Sequence, residues 1–288
     1  MMSKKIDKVD VILTSDWHIM EHTPPCRIDD FLKTQLFKIN QIKQLQHKYK
    51  CPIWHAGDLF EKARPSLYLL KRILKYFPEQ FNTIFGNHDM PEHNMELWDK
   101  SGVGLLYETK VIDLFRGKNY GQKEPSYFTF KNRKILITHE MVWQGKEPWP
   151  GCTDPRIEEL FNIYPEPDLI LVGHNHKTMV VEKNDRLIVN PGSLTRHKAD
   201  QMDHKPCVFL YDTAKNKAIT HYLNINEGVM SREHIDVQKS KDLQLQKFVD
   251  SLRTKKAKSI SFEKNVEILL NQNKISNKLQ QIIKGWME

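Results

Sequence analysis

A chain of 288 residues, 39% hydrophobic and 28% charged, holds enough apolar material for a sizeable core and too much for a disordered polymer. Its 44 basic against 36 acidic side chains leave a net charge of +8, which favours polyanionic partners without requiring them. No run approaches the roughly eighteen apolar residues of a membrane helix, and the apolar stretch Val11 to Leu13 is too short for a secretion signal. A soluble cytoplasmic protein is expected. Its four scattered cysteines are expected to be reduced thiols, with no cysteine-bound zinc.

Residues 9–14 (VDVILT) read as a buried strand that runs straight into Ser15-Asp16-Trp17-His18. Leu32, Leu36, Ile39, Ile42 and Leu45 recur at helical spacing. Residues 52–56 form a second strand ending at Gly57-Asp58, and a helix follows with Pro65 in its first turn and Leu69, Leu70, Ile73 and Leu74 as its stripe. Residues 82–85 form a third strand ending at Gly86-Asn87-His88-Asp89. This alternation argues for parallel strands in an α/β domain. Residues 134–138 then lead to His139, and residues 168–172 to Gly173-His174-Asn175-His176. Closely spaced β-like runs at 179–182, 186–189, 207–211 and 218–223 predict a second, largely antiparallel sheet packed on the first.

From residue 229 the character changes. Residues 229–288 carry twelve Lys and Arg against seven Asp and Glu. Three helical stripes follow: Leu243, Leu245, Phe248, Val249 and Leu252; then Phe262, Val266, Leu269 and Leu270; then Ile275, Leu279, Ile282 and Ile283. The domain boundary is therefore placed between 1–228 and a basic helical appendage at 229–288.

Five groups of metal-type ligands each follow a β-like run: Asp16-Trp17-His18, Gly57-Asp58, Gly86-Asn87-His88-Asp89, Thr138-His139 and His174-Asn175-His176. Ligands of α/β sheets bind beyond the carboxyl ends of the strands. Imidazole, carboxylate and carboxamide without thiolate suit Mn²⁺, Fe²⁺ or Zn²⁺. In extended chain, residues i and i+2 face one side, so D-x-H and H-x-H can each point both donors at one metal region. Any one group occurs by chance, but all five in order are hard to obtain as core residues, because burying them unpaired is costly.

On these motifs the sequence resembles the calcineurin-like metallophosphoesterase superfamily over residues 9–225. The resemblance implies a four-layer α/β/β/α sandwich and a two-metal centre. Asp16, His18, Asp58 and His176 would hold one ion, while Asp58, Asn87, His139 and His174 would hold the second. It implies in-line attack on phosphorus by a water between ions roughly 3.5–4 Å apart. His88 would stabilise the transition state or protonate the leaving oxygen. Many relatives have a G-D-x-x-D motif whose second Asp orients this histidine. Here the motif reads Gly57-Asp58-Leu59-Phe60-Glu61, and the choice of orienting group between Glu61 and Asp89 stays open.

The finer text is similar to SbcD-type DNA repair nucleases: Thr14 to His18, Gly57 to Glu61 with Pro65-Ser66, and Asn190-Pro191-Gly192-Ser193-Leu194-Thr195-Arg196. The Asp-Arg-Gly and G-N-H-E motifs of the superfamily's protein phosphatases are missing. That likeness implies Mn²⁺-dependent exonuclease and endonuclease action on DNA, with Mg²⁺, Fe²⁺ or Zn²⁺ as other candidate ions. It also implies an SbcC-like coiled-coil ATPase partner reached through the C-terminal helices, and homodimers in many relatives. The short stretch after 197 fits a compact version of the kind bacteriophages encode. Trp143 and Trp149 are candidates for base stacking, and Arg196 and His197 for a phosphate contact. Two other functions compete: a phosphodiesterase of cyclic or dinucleotide molecules, and an inactive scaffold of the same fold.

Overall fold

The computed structural model describes residues 8–254, 264, 266, 268–270 and 277–285. They fall into two compact units that divide between Ser231 and Arg232.

In the first unit, β1 (Val11–Thr14), β2 (Ile53–His55) and β3 (Phe81–Thr83) pair in parallel, and β4 (Asp113–Leu114) extends them. They are joined by α1 (Phe31–Tyr49), α2 (Leu67–Leu74) and α3 (Gly102–Glu108). Asp30 caps α1 by accepting from the Lys33 amide at 3.0 Å, and Ser66 caps α2 by accepting from Leu69 at 3.1 Å. The second sheet contains β5 (Phe128–Phe130), β6 (Arg133–His139), β7 (Leu169–Gly173), β8 (Met179–Lys183) and β9 (Arg186–Asn190), in the order 5-6-7-9-8. The short α4 (Leu160–Ile163) precedes β7.

Three cores stack through this unit. Leu32, Leu36, Ile39, Leu69, Ile73 and Val103 pack the helices onto the outer face of the first sheet, at Ile12, Ile53 and Phe81. Val11, Leu13 and Trp54 meet Ile135, Ile137, Leu169, Leu171 and Val189 between the sheets. Ile157, Leu160 and Phe161 cover the outer face of the second sheet at Leu136, Ile170 and Ile188. This is the α/β/β/α sandwich, with a thin fourth layer.

The strand allocation differs from the expected one. β10 (Cys207–Asp212) and β11 (Lys217–Tyr222) join the first sheet, β10 lying antiparallel to β1. The second sheet is mixed, because β6, β7 and β9 are parallel. Every residue of β10 is buried, so both its faces need cover, which the slot beside β1 provides. Pro65 also lies outside α2, one residue ahead of the Ser66 cap, and Leu74 is 47% exposed rather than part of the buried stripe. All four cysteines are free thiols. Among the described residues, no helix is long and apolar enough to cross a membrane.

The second unit holds α5 (Glu233–Thr254) and a helix at Asn277–Gly285. Val266, Leu269 and Leu270 form a small core with Ile283 against it. Leu243, Leu245 and Ile282 are exposed, and Leu279 is half-buried. Phe262 and Ile275, together with the side chains of Phe248 and Leu252, lie outside what is described.

Candidate metal centre

Parallel pairing brings the ends of β1, β2 and β3 to one edge, and the parallel β6 and β7 deliver His139 and His174 opposite them. The chain here is not extended. Asp16, His18, Asp58 and His174 have φ of +50°, +44°, +59° and +90°. The expectation that i and i+2 converge because the backbone is straight is therefore corrected. Trp17 is driven into the helix-side core, with its Nε1 donating to Thr14 Oγ1 at 2.8 Å. The backbone turns left-handed on both sides of it, which costs energy. Backbone bonds hold the turn: Asp16 N–H donates to Gly57 O at 3.1 Å and His18 N–H to Asp58 O at 3.0 Å.

Two glycines permit this convergence. Gly57 sits at φ +87°, and a Cβ there would lie 2.6 Å from His139 Nδ1. A Cβ on Gly86 would run into Asp58 Oδ1.

All seven expected ligand residues meet at this edge, and their proton inventory is informative. His139 Nδ1 lies 2.7 Å from the Ala56 carbonyl and His18 Nδ1 lies 2.8 Å from Glu61 Oε2. Both partners only accept, so both Nδ1 atoms carry the proton. The Nε2 atoms of these two rings then aim at a single carboxylate oxygen, Asp58 Oδ2, at 3.3 and 3.5 Å. Asn87 Oδ1 lies 3.1 Å from His139 Nε2 and 2.9 Å from His174 Nδ1. Asp16 accepts the His174 amide at 3.0 Å on Oδ1, while its buried Oδ2 and the buried His18 Nε2 have no hydrogen-bond partner. Lone pairs facing a carboxylate require positive charge among them, supplied by protons or by metal ions. Oxygen and imidazole donors of this kind fit divalent cations.

The titration of these groups expresses the same demand. Burial opposes charge on His139, but Asp58 outweighs it and raises the ring to about 9. Burial pushes Asp16 up to about 6, against the pull of His139. Burial also raises Asp58, but His139 and His18 overcome it and hold that carboxyl below its usual range. His174 is lowered to about 4 by burial and by its neighbour His139. His176 is lowered by burial and by His18, whose ring centroid is 4.7 Å away.

The residues beside the ligands divide their tasks in a way the sequence left open. The Glu61 carboxylate holds His18, and the Glu61 main-chain carbonyl lies 2.8 Å from His88 Nδ1. Asp89 does not touch the His88 ring. It is fully buried and accepts amides from Asp58, Leu59, Phe60 and Gly86 at 2.8 to 3.2 Å, clamping the second and third loops together. Burial and the Asp58 charge raise its carboxyl to about 7, against those amides.

Arg196 donates to the carbonyls of Met202 and Asn226 at 3.2 and 2.8 Å, so its guanidinium fastens loops. Trp143 donates Nε1 to Asp154 O at 2.8 Å and lies under Arg156, whereas Trp149 is 48% exposed. Beyond His174 and His176 opens a cleft of about 540 Å³ with Lys177, Lys198, Lys205 and Tyr222 in its wall. His197, expected at most to meet a phosphate, is buried against both His18 and His176, with ring centroids 5.0 Å from each. Burial and the charge of His18 lower it to about 3. No motif carries this residue, and only its tertiary position reveals it.

A family model described as the calcineurin-like phosphoesterase superfamily domain matches residues 9–216. Among solved structures, the chain is similar to an archaeal phosphodiesterase at 16% identity, covering 74% of this chain and 99% of that one with a TM-score of 0.41. It is also similar to a metallophosphoesterase from Sphaerobacter thermophilus at 13% identity, covering 75% and 89%, with a TM-score of 0.40. A third is Vps29 complexed with Zn²⁺ from Entamoeba histolytica, at 16% identity, covering 77% and 95%, with a TM-score of 0.38. No curated protein matches the sequence.

Proposed function

Because this chain belongs to the calcineurin-like phosphoesterase superfamily, we propose that it is a two-metal phosphodiesterase acting on DNA, the nuclease subunit of an SbcCD-like complex. Phosphoester hydrolysis is the reaction class of the family, and divalent ions are the cofactors its fold implies. The observation that carries the proposal is the pair of imidazole lone pairs aimed at Asp58 Oδ2, beside the partnerless Asp16 Oδ2.

Asp16, His18, Asp58 and His176 would hold one ion, and Asp58, Asn87, His139 and His174 the other. Bound there, divalent ions such as Mn²⁺ polarise the phosphoryl group and acidify water. The chain's own residues do the rest. Glu61 fixes the His18 ring so that Nε2 is the donor to metal. The Glu61 carbonyl accepts from His88 Nδ1–H and fixes the ring, so that in its doubly protonated form Nε2–H would donate to a phosphoester oxygen or to the leaving group. The His88 side chain is 34% exposed, open enough to meet a substrate.

DNA is favoured over a small substrate by Lys177, Lys198 and Lys205, which are all exposed along the cleft and would follow a phosphate backbone. The exposed Leu243, Leu245 and Ile282 of the second unit support docking of a coiled-coil ATPase through its helices. The size of the cleft supports the competing small-molecule phosphodiesterase, since about 300–1,000 Å³ suits such ligands.

The test is incubation with Mn²⁺ and linear or hairpin DNA beside a small phosphodiester. Cleavage of DNA is expected. His88→Ala is expected to lower it by about 10²–10⁴-fold with bound metal unchanged. Turnover of the small ester alone would overturn the nuclease assignment. No turnover of either substrate by the parent or by His88→Ala would favour a scaffold.

A further inference from the structure

Three imidazoles meet beside the first group of ligands, and one of them lies outside the seven-residue set. The ring centroids of His18, His176 and His197 form a nearly equilateral triangle with sides of 4.7, 5.0 and 5.0 Å. One nitrogen from each ring lies within 4.8 Å of those from the other two. His197 is only 7% exposed. Its Nδ1 lies 3.3 Å from the Thr195 carbonyl, which can only accept, so Nδ1 carries the proton and Nε2 presents a lone pair. That Nε2 is buried without a hydrogen-bond partner, like His18 Nε2. Leaving a buried acceptor unsatisfied costs stability.

The turn that carries the ring is firmly braced. Gln201 Oε1 accepts the amides of His197 and Lys198 at 2.8 and 2.9 Å, and Gln201 Nε2 donates to Ser193 Oγ at 2.9 Å. The Cys26 thiol donates to the His197 carbonyl at 3.2 Å.

We infer that His197 is an additional ligand of the ion held by His18 and His176, giving that position three imidazoles. The inference rests on the two-ion reading of the site. Its consequence is a first position with three imidazoles beside the Asp16 and Asp58 carboxylates, against two imidazoles with the Asp58 and Asn87 oxygens at the second. Imidazole favours Zn²⁺ and Fe²⁺, whereas oxygen donors favour Mn²⁺ and Mg²⁺. The two positions should therefore differ in metal preference, and His197 should set much of that difference.

The experiment is calorimetric titration of the metal-free full chain with Zn²⁺ and with Mn²⁺, comparing the parent with His197→Ala and His197→Gln. Histidine ring ¹⁵N spectra of the parent are recorded alongside. The parent is expected to take up two ions, and the His197 Nε2 signal to shift with the first Zn²⁺. Both variants are expected to lose at least about 10-fold in Zn²⁺ affinity at one of the two positions and less for Mn²⁺. Should the variants fail to fold by circular dichroism, the ring signal of the parent decides. Two-ion uptake with unchanged isotherms and a stationary His197 signal would overturn the inference and leave the ring as packing. No uptake by the parent would instead overturn the two-ion reading itself.

Discussion

Glu61 serves two histidines through two different groups. Its carboxylate accepts from His18 Nδ1 at 2.8 Å while its carbonyl accepts from His88 Nδ1 at 2.8 Å. Substituting Glu61→Gln removes only the charge from the first bond and leaves the second intact. The expected result is a loss of metal affinity of about 10–100-fold, read by calorimetry, with the fold preserved. Lys38 makes a separate prediction. It lies 3% exposed in α1, donating to the Asn224 carbonyl at 2.9 Å. Burial, then the charges of Arg196 and Arg27, pull its pKa from 10.5 to about 7. Between those values the unfolded chain binds the extra proton, so this group makes stability rise with pH from about 7 to 10.5, and its penalty is fully present below 7. Lys38→Met is expected to raise stability at pH 6 by roughly 1–2 kcal/mol, the lost carbonyl bond offsetting part of the gain. Urea unfolding at pH 6 and 9 checks both the gain and the flattened pH response.

The elements that matter most for the site are its loops, whose geometry depends on close backbone crossings. At Gly86 a methyl group would occupy the place of Asp58 Oδ1, which accepts the His88 amide at 2.8 Å. Gly86→Ala is expected to cost about 1–3 kcal/mol through overpacking and to weaken metal binding by moving Asp58. Denaturant melts and metal titration of the same sample separate the two effects. The longest helix of the first unit is legible because burial imposes a 3.6-residue period: Leu32, Leu36, Ile39, Ile42 and Leu45 are all under 10% exposed in α1. Short elements with little period escaped. α3 and β5 carry too few residues to show one. Leu74 fits the stripe of α2 by spacing, yet the core does not reach the end of that helix.

For the whole molecule, the joining of the two sheets is what closes the site. The first sheet supplies Asp16, His18, Asp58 and Asn87, and the second supplies His139, His174 and His176. Ions bound across that seam would bind the folded state alone. Adding Mn²⁺ to chelator-treated protein at about 100 times its Kd should stabilise it by about 2.7 kcal/mol. The corresponding rise in Tm is roughly 5 °C or more. A thermal melt unmoved by Mn²⁺ and by Zn²⁺ alike would count against metal binding at the seam.

The candidate ligand residues were legible in the chain because strand ends are marked locally: each β-like run gives way, at or just past its end, to a short polar group containing Asp, Asn or His. The family pattern follows from those same short words, and so does the expectation of metal chemistry. Which sheet takes residues 207–222, which of Glu61 and Asp89 holds His88, and that His197 lies against His18 were decided only by the tertiary structure. Those facts depend on contacts between segments up to about 180 residues apart, such as His18 with His197. No local spacing encodes them, since they are settled by which faces must be buried together.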